Sequence, residues 1–407
     1  MNELKKIYFF GVSMCLTFNC IAQWMPSSNG NNSQMTSCFV ESSGVLLCGT
    51  FNGIFASTDY GSTWSPSESG TVAGSGVTCL GKNSAGLFAG KDGFIYFSAN
   101  NGAFWTALNS NGNGVNDLAF FTDTIFAASF GVGVIRSINN GLNWTIVNNG
   151  LTTNKITKII RKGNLIFVGT YGDGIFVSTD YGANWIPVNT GIVSPVYIFC
   201  LETDGTNLYA GTSHDFLPNI PAHGMYISSN NGSSWTQVTN GIADSIDVYA
   251  IKSIGNVLLS STHDIHRSTD HGLTWTSFMN GISPTLNLGA TTFYETASYV
   301  FAGFEEMGTV SIFRIDKSEV VSVHESPEQN ITCSVFPNPC DNELNIQNNS
   351  TQQIQFTLYN LLGQKLMEKF LTDKISTINI SALSNGLYFY QVSDEHNLII
   401  NGKIIKK

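Results

Sequence analysis

An eight-residue pattern returns six times along the chain. The copies are Ser57-Thr-Asp-Tyr-Gly-Ser-Thr-Trp64, Ser98-Ala-Asn-Asn-Gly-Ala-Phe-Trp105, Ser137-Ile-Asn-Asn-Gly-Leu-Asn-Trp144, Ser178-Thr-Asp-Tyr-Gly-Ala-Asn-Trp185, Ser228-Ser-Asn-Asn-Gly-Ser-Ser-Trp235 and Ser268-Thr-Asp-His-Gly-Leu-Thr-Trp275. Their tryptophans are 41, 39, 41, 50 and 40 residues apart. A fixed period of this size means that one supersecondary unit buries its apolar face against copies of itself. The seventh tryptophan, Trp24, stands 40 residues before Trp64 and carries the tail of the unit. Gly30 follows it by six, as Gly150, Gly191, Gly241 and Gly281 follow Trp144, Trp185, Trp235 and Trp275.

The head of that displaced unit lies at the other end of the repeats. An apolar run recurs seven times, at Leu46–Gly49, Leu87–Gly90, Ile125–Ala128, Ile166–Gly169, Leu208–Gly211, Leu258–Ser261 and Val300–Gly303, and no octapeptide follows the last. Seven runs plus a displaced tail describe a ring in which the strand from Trp24 completes the unit begun near Thr291. Closure removes the exposed sheet edges that a linear array would leave. Each unit divides into four short strands, in the fourth Ile156–Ile160 (A), Leu165–Gly169 (B), Gly174–Ser178 (C) and Trp185–Val188 (D). About 41 residues and four antiparallel strands is the size of a propeller blade. The fold class is all-β: a seven-bladed β-propeller followed by a small antiparallel β-sandwich.

At the octapeptides the chain resembles the Asp-box, or BNR, repeat family, which includes sialidases, sortilin-type receptors, xyloglucan-cleaving propellers and photosystem II assembly factors. The third residue (Asp59, Asn100, Asn139, Asp180, Asn230, Asp270) is suited to accept backbone N–H bonds across the turn. The glycine (Gly61, Gly102, Gly141, Gly182, Gly232, Gly272) supplies φ > 0, and the tryptophan (Trp64, Trp105, Trp144, Trp185, Trp235, Trp275) packs beneath. These roles are structural. With neutral asparagine in three of six copies, no calcium site is expected.

Two further segments flank the repeats. Residues 1–22 read as an export signal, with Lys5 and Lys6 before an apolar stretch to Ala22 and cleavage after Ala22 or Gln23. That stretch is too short and too interrupted for a membrane span. Cys15 and Cys20 are poorly placed for lipidation after Met14 and Asn19. The propeller is assigned to residues 23–316, a polar linker to 317–331 and a strand-rich module to 332–407. The module resembles the type A sorting domain of the type IX secretion system in Phe336-Pro-Asn-Pro339, Leu358-Tyr-Asn-Leu-Leu-Gly-Gln364, Leu383-Ser-Asn-Gly-Leu-Tyr388 and Gly402-Lys-Ile-Ile-Lys406. The resemblance implies the type IX machinery as partner, passage through the outer membrane, and a surface or extracellular location. The alternative, a carbohydrate-binding sandwich, is weakened by the module's lack of tryptophan.

Charge narrows the partners. The net charge is −10, of which residues 23–316 carry −9 from ten basic and nineteen acidic residues. No basic block offers itself to nucleic acid or anionic lipid. Six cysteines follow the signal, Cys38, Cys48, Cys79, Cys200, Cys333 and Cys340, too few for a disulfide framework. Small buried thiols are expected, with Cys38–Cys48 and Cys333–Cys340 as the possible bridges.

Function is expected on the B–C loops, at the ring end opposite the octapeptide turns, because loops on a rigid scaffold carry binding residues. Asn52, Asp92, Phe130, Tyr171, Asp173, His214, Asp215, His263, Asp264, Glu305 and Glu306 would line an acidic, aromatic mouth for a glycan, peptide or protein. A sialidase is disfavoured, since only four arginines occur and none suits a carboxylate clamp: Arg136 and Arg267 in C strands, Arg161 in an A–B turn, and Arg314 at the wrong end. A polysaccharide-degrading glycoside hydrolase, needing two facing carboxyl groups, is the alternative to a non-enzymatic binding protein. No cofactor and no metal are expected; His214-Asp215 and His263-Asp264 lack a third spaced ligand.

Overall fold

Each repeat folds as four antiparallel strands because its continuous apolar run is covered on both faces by neighbouring repeats. Ile166, Phe167 and Val168, at the centre of blade 4, are at most 1% exposed. The computed structural model describes residues 23–31, 35–91, 93–108, 114–214, 220–282, 289–305, 311–321, 333–337, 339–348, 353–360, 364–393 and 399–407. The chain separates into two compact units, Met1–Val323 and His324–Lys407. The first is a seven-bladed β-propeller. Its inner A strands are Thr36–Ser42, Val77–Lys82, Val115–Phe121, Ile156–Lys162, Val196–Thr203, Ala250–Ile254 and Ala290–Glu295. Each contacts the next, and the seventh contacts the first.

Closure follows the expectation from Trp24. Met25–Pro26 pairs antiparallel with Ile312–Asp316, matching Met25 to Arg314 and Pro26 to Phe313, as the outer strand of blade 7. The Ser28 hydroxyl accepts from the amides of Ser311 (3.0 Å) and Ile312 (2.8 Å).

The octapeptides form one clasp repeated six times. The serine hydroxyl donates to the Asp or Asn Oδ1 at 2.8–2.9 Å and accepts from the glycine amide at 2.7–2.9 Å. The same Oδ1 accepts from the seventh residue's amide at 2.8–3.0 Å. Asp and Asn copies have the same geometry, so the clasp needs an acceptor and no charge. The glycines take φ of 78–88°, and the residue before each is also left-handed, at 55–59°. Tyr60, Tyr181 and His271 hold that second position without glycine's freedom.

The tryptophans join blades. Five indoles donate to the preceding blade, including Trp64 to Ser27 O (2.6 Å), Trp185 to Val147 O (2.7 Å) and Trp24 to Phe278 O (2.9 Å). The glycine six residues on is forced: at Gly30, Gly70, Gly150, Gly191, Gly241 and Gly281, all with positive φ, a Cβ would overlap the next blade's tryptophan carbonyl. Trp275 bonds within its own turn, to Gly272 O at 3.0 Å, and the Trp144 indole N–H is buried without a partner.

One expectation needs correction here, and the disulfide alternative falls away. The linker assigned to 317–331 begins with a helix, Lys317–Val321, which is part of the propeller unit. Asp316 caps it by accepting from the Ser318 amide (2.9 Å), and Val320 is fully buried in the core of blades 6 and 7. The remaining linker residues and the export signal lie outside the described residues. Cys38 and Cys48 form no bridge; they are free thiols, as are Cys79, Cys200 and Cys340. Burial pushes the Cys38 and Cys200 thiols up to about 12, which keeps them protonated and inert.

The second unit is an antiparallel sandwich of a three-stranded sheet (Cys333–Phe336, Glu343–Asn348, Ile375–Asn379) and a four-stranded one (Lys365–Leu371, Ile354–Tyr359, Gly386–Ser393, Ile399–Lys406). Leu344, Ile346, Phe356, Leu358, Ile378 and Val392 fill the space between them.

Candidate functional site

A β-bulge interrupts six A strands at the same level: between Thr36 and Cys38, Val77 and Cys79, Val115 and Asp117, Ile156 and Lys158, Ile198 and Cys200, and Ala290 and Thr292. A bulge re-aims its extra side chain, and in five blades that side chain stitches the ring together. Ser37 donates to Val77 O, Thr78 to Val115 O, Asn116 to Ile156 O, Thr157 to Ile198 O and Thr291 to Thr36 O. In blade 5 the extra residue is Phe199, and Tyr249 occupies the corresponding place in blade 6, where the Tyr249 amide donates to Ser261 O at 2.8 Å. These two make no such bond. Across the blade 5–6 junction the Cys200 thiol reaches Val248 O at 3.4 Å, and the Val248 amide donates to Thr212 O at 2.9 Å.

The two rings complete an arc around one side of the ring's B–C end. Successive centroids are 5.6 Å apart for Phe130–Tyr171, 4.9 Å for Tyr171–Tyr197, 5.5 Å for Tyr197–Phe199, 5.9 Å for Phe199–Tyr249 and 6.4 Å for Tyr249–His263. Such tilted contacts fix each ring against its neighbours. Beside the last two rings, His214, Ala222, His223, Ile246, Asp247 and Tyr249 help enclose a cavity of about 500 Å³. Asp247 is 6% exposed and organises its wall. It accepts from the His214 amide (2.7 Å), His214 Nδ1 (2.6 Å) and the Tyr249 hydroxyl (3.3 Å). An ionised carboxylate only accepts, so Nδ1 carries the hydrogen and Asp247 fixes the orientation of the His214 ring in the cavity wall. Burial, with the Asp247 charge and hydrogen bond next and Glu305 last, pushes the Tyr249 phenol up to about 12. His223 Nε2 is buried and unpartnered at the same cavity.

Of the eleven residues expected at the mouth, His214 and His263 meet in this cavity, and Phe130 and Tyr171 begin the arc. Asp173 is exposed and accepts from Thr152 Oγ1 at 2.6 Å. Asn52 is held in its turn by Thr50, Asp264 sits in the exposed turn of blade 6, and Glu305 pairs in a bridge with Met35. Asp92, Asp215 and Glu306 lie outside the described residues. Tyr197, Phe199, Asp247 and Tyr249 were not foreseen, because they belong to A strands and their approaches and not to B–C loops. No group of three or more His, Cys, Asp or Glu side chains among the described residues is placed to hold a metal.

Inside the ring the A strands enclose a second space of about 400 Å³, lined by Asp117, Lys158, Glu202 and Lys252 among others. Glu202 pairs with Lys252 at 3.4 Å. Burial raises the Asp117 carboxyl, against the opposing pull of Lys158 and the Ile159 amide. A raised folded-state value means that the ionised form is carried at a cost at neutral pH, which fades as pH falls into the ordinary carboxylate range. Asp117→Asn should therefore raise the melting temperature by a few degrees at pH 7, with the difference from wild type shrinking toward about pH 4. Equal melting temperatures at pH 7 would refute this balance.

The arginines stay away from the mouth. Arg136 donates to Tyr181 O (2.7 Å), Arg161 stacks 4.3 Å from the Phe121 centroid, Arg267 lies 5.6 Å from Phe278 and Arg314 4.8 Å from Tyr299. Arg161 belongs to strand A of blade 4 and not to the A–B turn where the sequence reading put it.

Residues 334–407 match the family described as the secretion system C-terminal sorting domain. The chain ends in a secretion sorting domain. Carrying that domain, the protein is secreted to the cell surface or beyond and is handled by the type IX system. No helix among the described residues is long and apolar enough to cross a membrane. No curated protein matches the chain significantly. Solved structures share the fold. The extracellular domain of a one-component system of B. thetaiotaomicron is 16% identical with a TM-score of 0.57, covering 95% of this chain and 59% of its own. The GH74 xyloglucanase of Xanthomonas campestris is 14% identical with a TM-score of 0.51, covering 72% of this chain and 55% of its own. YCF48 from Cyanidioschyzon merolae is 11% identical with a TM-score of 0.54, covering 72% of this chain and 98% of its own. This chain thus spans little more than half of the first two.

Proposed function

We propose that the protein is an exported Asp-box propeller, residues 23–316, that binds its ligand without catalysis on the B–C end of the ring. Residues 1–22 serve as its export signal and residues 332–407 as its sorting module. The observation that carries the reading is the exchange at the bulges. Five blades use that side chain to bond the next blade, whereas blades 5 and 6 give the bond up for Phe199 and Tyr249. A forgone inter-blade hydrogen bond costs on the order of 1 kcal/mol, and half-buried rings at the mouth are suited to contact a ligand. Neighbours on this fold include a structure of YCF48 bound to the D1 peptide, and a peptide ligand is within the same reading.

The test is a glycan and peptide screen on the secreted protein, repeated with Tyr171→Ala and Tyr249→Ala. Each variant should weaken the ligand found by about tenfold or more, the range for a buried aromatic contact. Ligand binding that survives both substitutions places the site elsewhere. Release of reducing ends from xyloglucan or another polysaccharide by the wild-type protein would replace the binding reading with the hydrolase one.

A further inference from the structure

We infer that the blade 5–6 side of the mouth receives a cationic side chain, a lysine or arginine of a peptide, against Tyr249 and beside the Asp247 carboxylate. This rests on the B–C end being the binding face. The protein already contains the interaction once. At the far end of the arc, the Lys155 ammonium lies 5.1 Å from the Tyr171 centroid and 5.7 Å from that of Phe130. Both are within the roughly 6 Å over which a cation is attracted to a ring face. Lys155 pairs with no carboxylate among the described residues, so the rings alone receive its charge.

The Phe199–Tyr249 corner repeats that pair of aromatic rings at 5.9 Å, with two differences. Negative charge is added: the Asp247 carboxylate is hydrogen-bonded to the Tyr249 hydroxyl as well as to His214. Among the described residues no lysine or arginine lines the cavity beside Tyr249. Charge and ring faces together bind an ammonium or guanidinium more strongly than either does alone. A cavity of about 500 Å³ also exceeds what a lone ammonium fills. A side chain entering from an extended peptide uses the remainder for its neighbours.

Hexalysine, the same peptide with every side-chain amine acetylated, and a neutral xyloglucan oligosaccharide are titrated into the full chain by calorimetry. Hexalysine should bind and weaken with added salt, and the acetylated peptide should bind about tenfold or more weakly, as loss of a desolvated cation–π contact implies. Tyr249→Leu should reproduce most of that loss with little change in melting temperature. Tyr249→Phe, which keeps the ring, should retain most of the binding. Asp123→Asn, at the octapeptide end, should change nothing; an equal loss there would mean diffuse attraction and overturn the inference. Equal affinity for the two peptides overturns it as well. Binding of the oligosaccharide alone, lost in Tyr249→Leu, sinks the cationic ligand and leaves the mouth standing. Binding of none of the three also ends it.

Discussion

Deletion of residues 23–30 should lower the melting temperature by roughly 10 °C or more, because it removes one buried tryptophan and the bonds that close the ring. Trp24 is 1% exposed, and its amide and indole donate to Asn280 O and Phe278 O at 2.8 and 2.9 Å. The same segment supplies the Ser28 hydroxyl to blade 7 and, through Ser27 O and Asn29 O, the acceptors for both nitrogens of Trp64. The loss therefore spreads to blade 1 as well. With the outer strand gone, Ile312–Asp316 becomes an open edge, and self-association on heating should accompany the lower midpoint. Differential scanning calorimetry of the deletion beside the wild type decides the matter. An unchanged midpoint would show that the seam contributes nothing.

Trp185→Ala should destabilise the propeller by about 3–5 kcal/mol, the usual range for truncating a buried aromatic. The ring sits against Phe126, Val134 and Phe176 between blades 3 and 4, and its indole is bonded to Val147 O. Ligand affinity of the folded fraction should survive, since the octapeptide turns and the mouth lie at opposite ends of the strands. Trp144→Ala is the internal comparison. Its indole N–H has no partner and its ring is half-buried, so truncation there should cost clearly less. Chemical denaturation gives both values. Equal costs at the two positions would remove the inter-blade bond as the reason for the difference. Loss of binding by Trp185→Ala at unchanged stability would overturn the placement of the mouth.

The repeats make blade number and ring closure readable, because each depends on local patterns that recur in register. Trp24 and Gly30 announce the seam without any knowledge of the fold. The arc was not readable in the same way. A bulge shifts one residue out of the inward–outward alternation, so Ser37, Thr78, Asn116, Thr157, Phe199 and Thr291, with Tyr249 in the corresponding place of blade 6, share a position that no two-residue period reveals. Superposing the seven A strands on the residue that follows (Cys38, Cys79, Asp117, Lys158, Cys200, Ala250, Thr292) exposes the signal: five short polar side chains and two large rings. Asp247 escapes even that comparison, because its role depends on His214 from the neighbouring blade. The helix Lys317–Val321 was missed for a different reason. Its polar composition resembles a linker, and the single buried Val320 supplies its anchor.

The missing seventh clasp has a topological consequence. In the other six blades, strand C runs through an octapeptide into the tryptophan and strand D; in blade 7 the same two strands are paired without covalent connection. The ring is thus one closed object drawn from an open chain, cut at one of seven comparable places. Its sequence order is a choice of origin and not a property of the architecture. A circular permutant joining Ile315 to Trp24 through a Thr-Asp-Tyr-Gly-Ala-Asn bridge and opened between two other blades would trace the same ring from a different starting point.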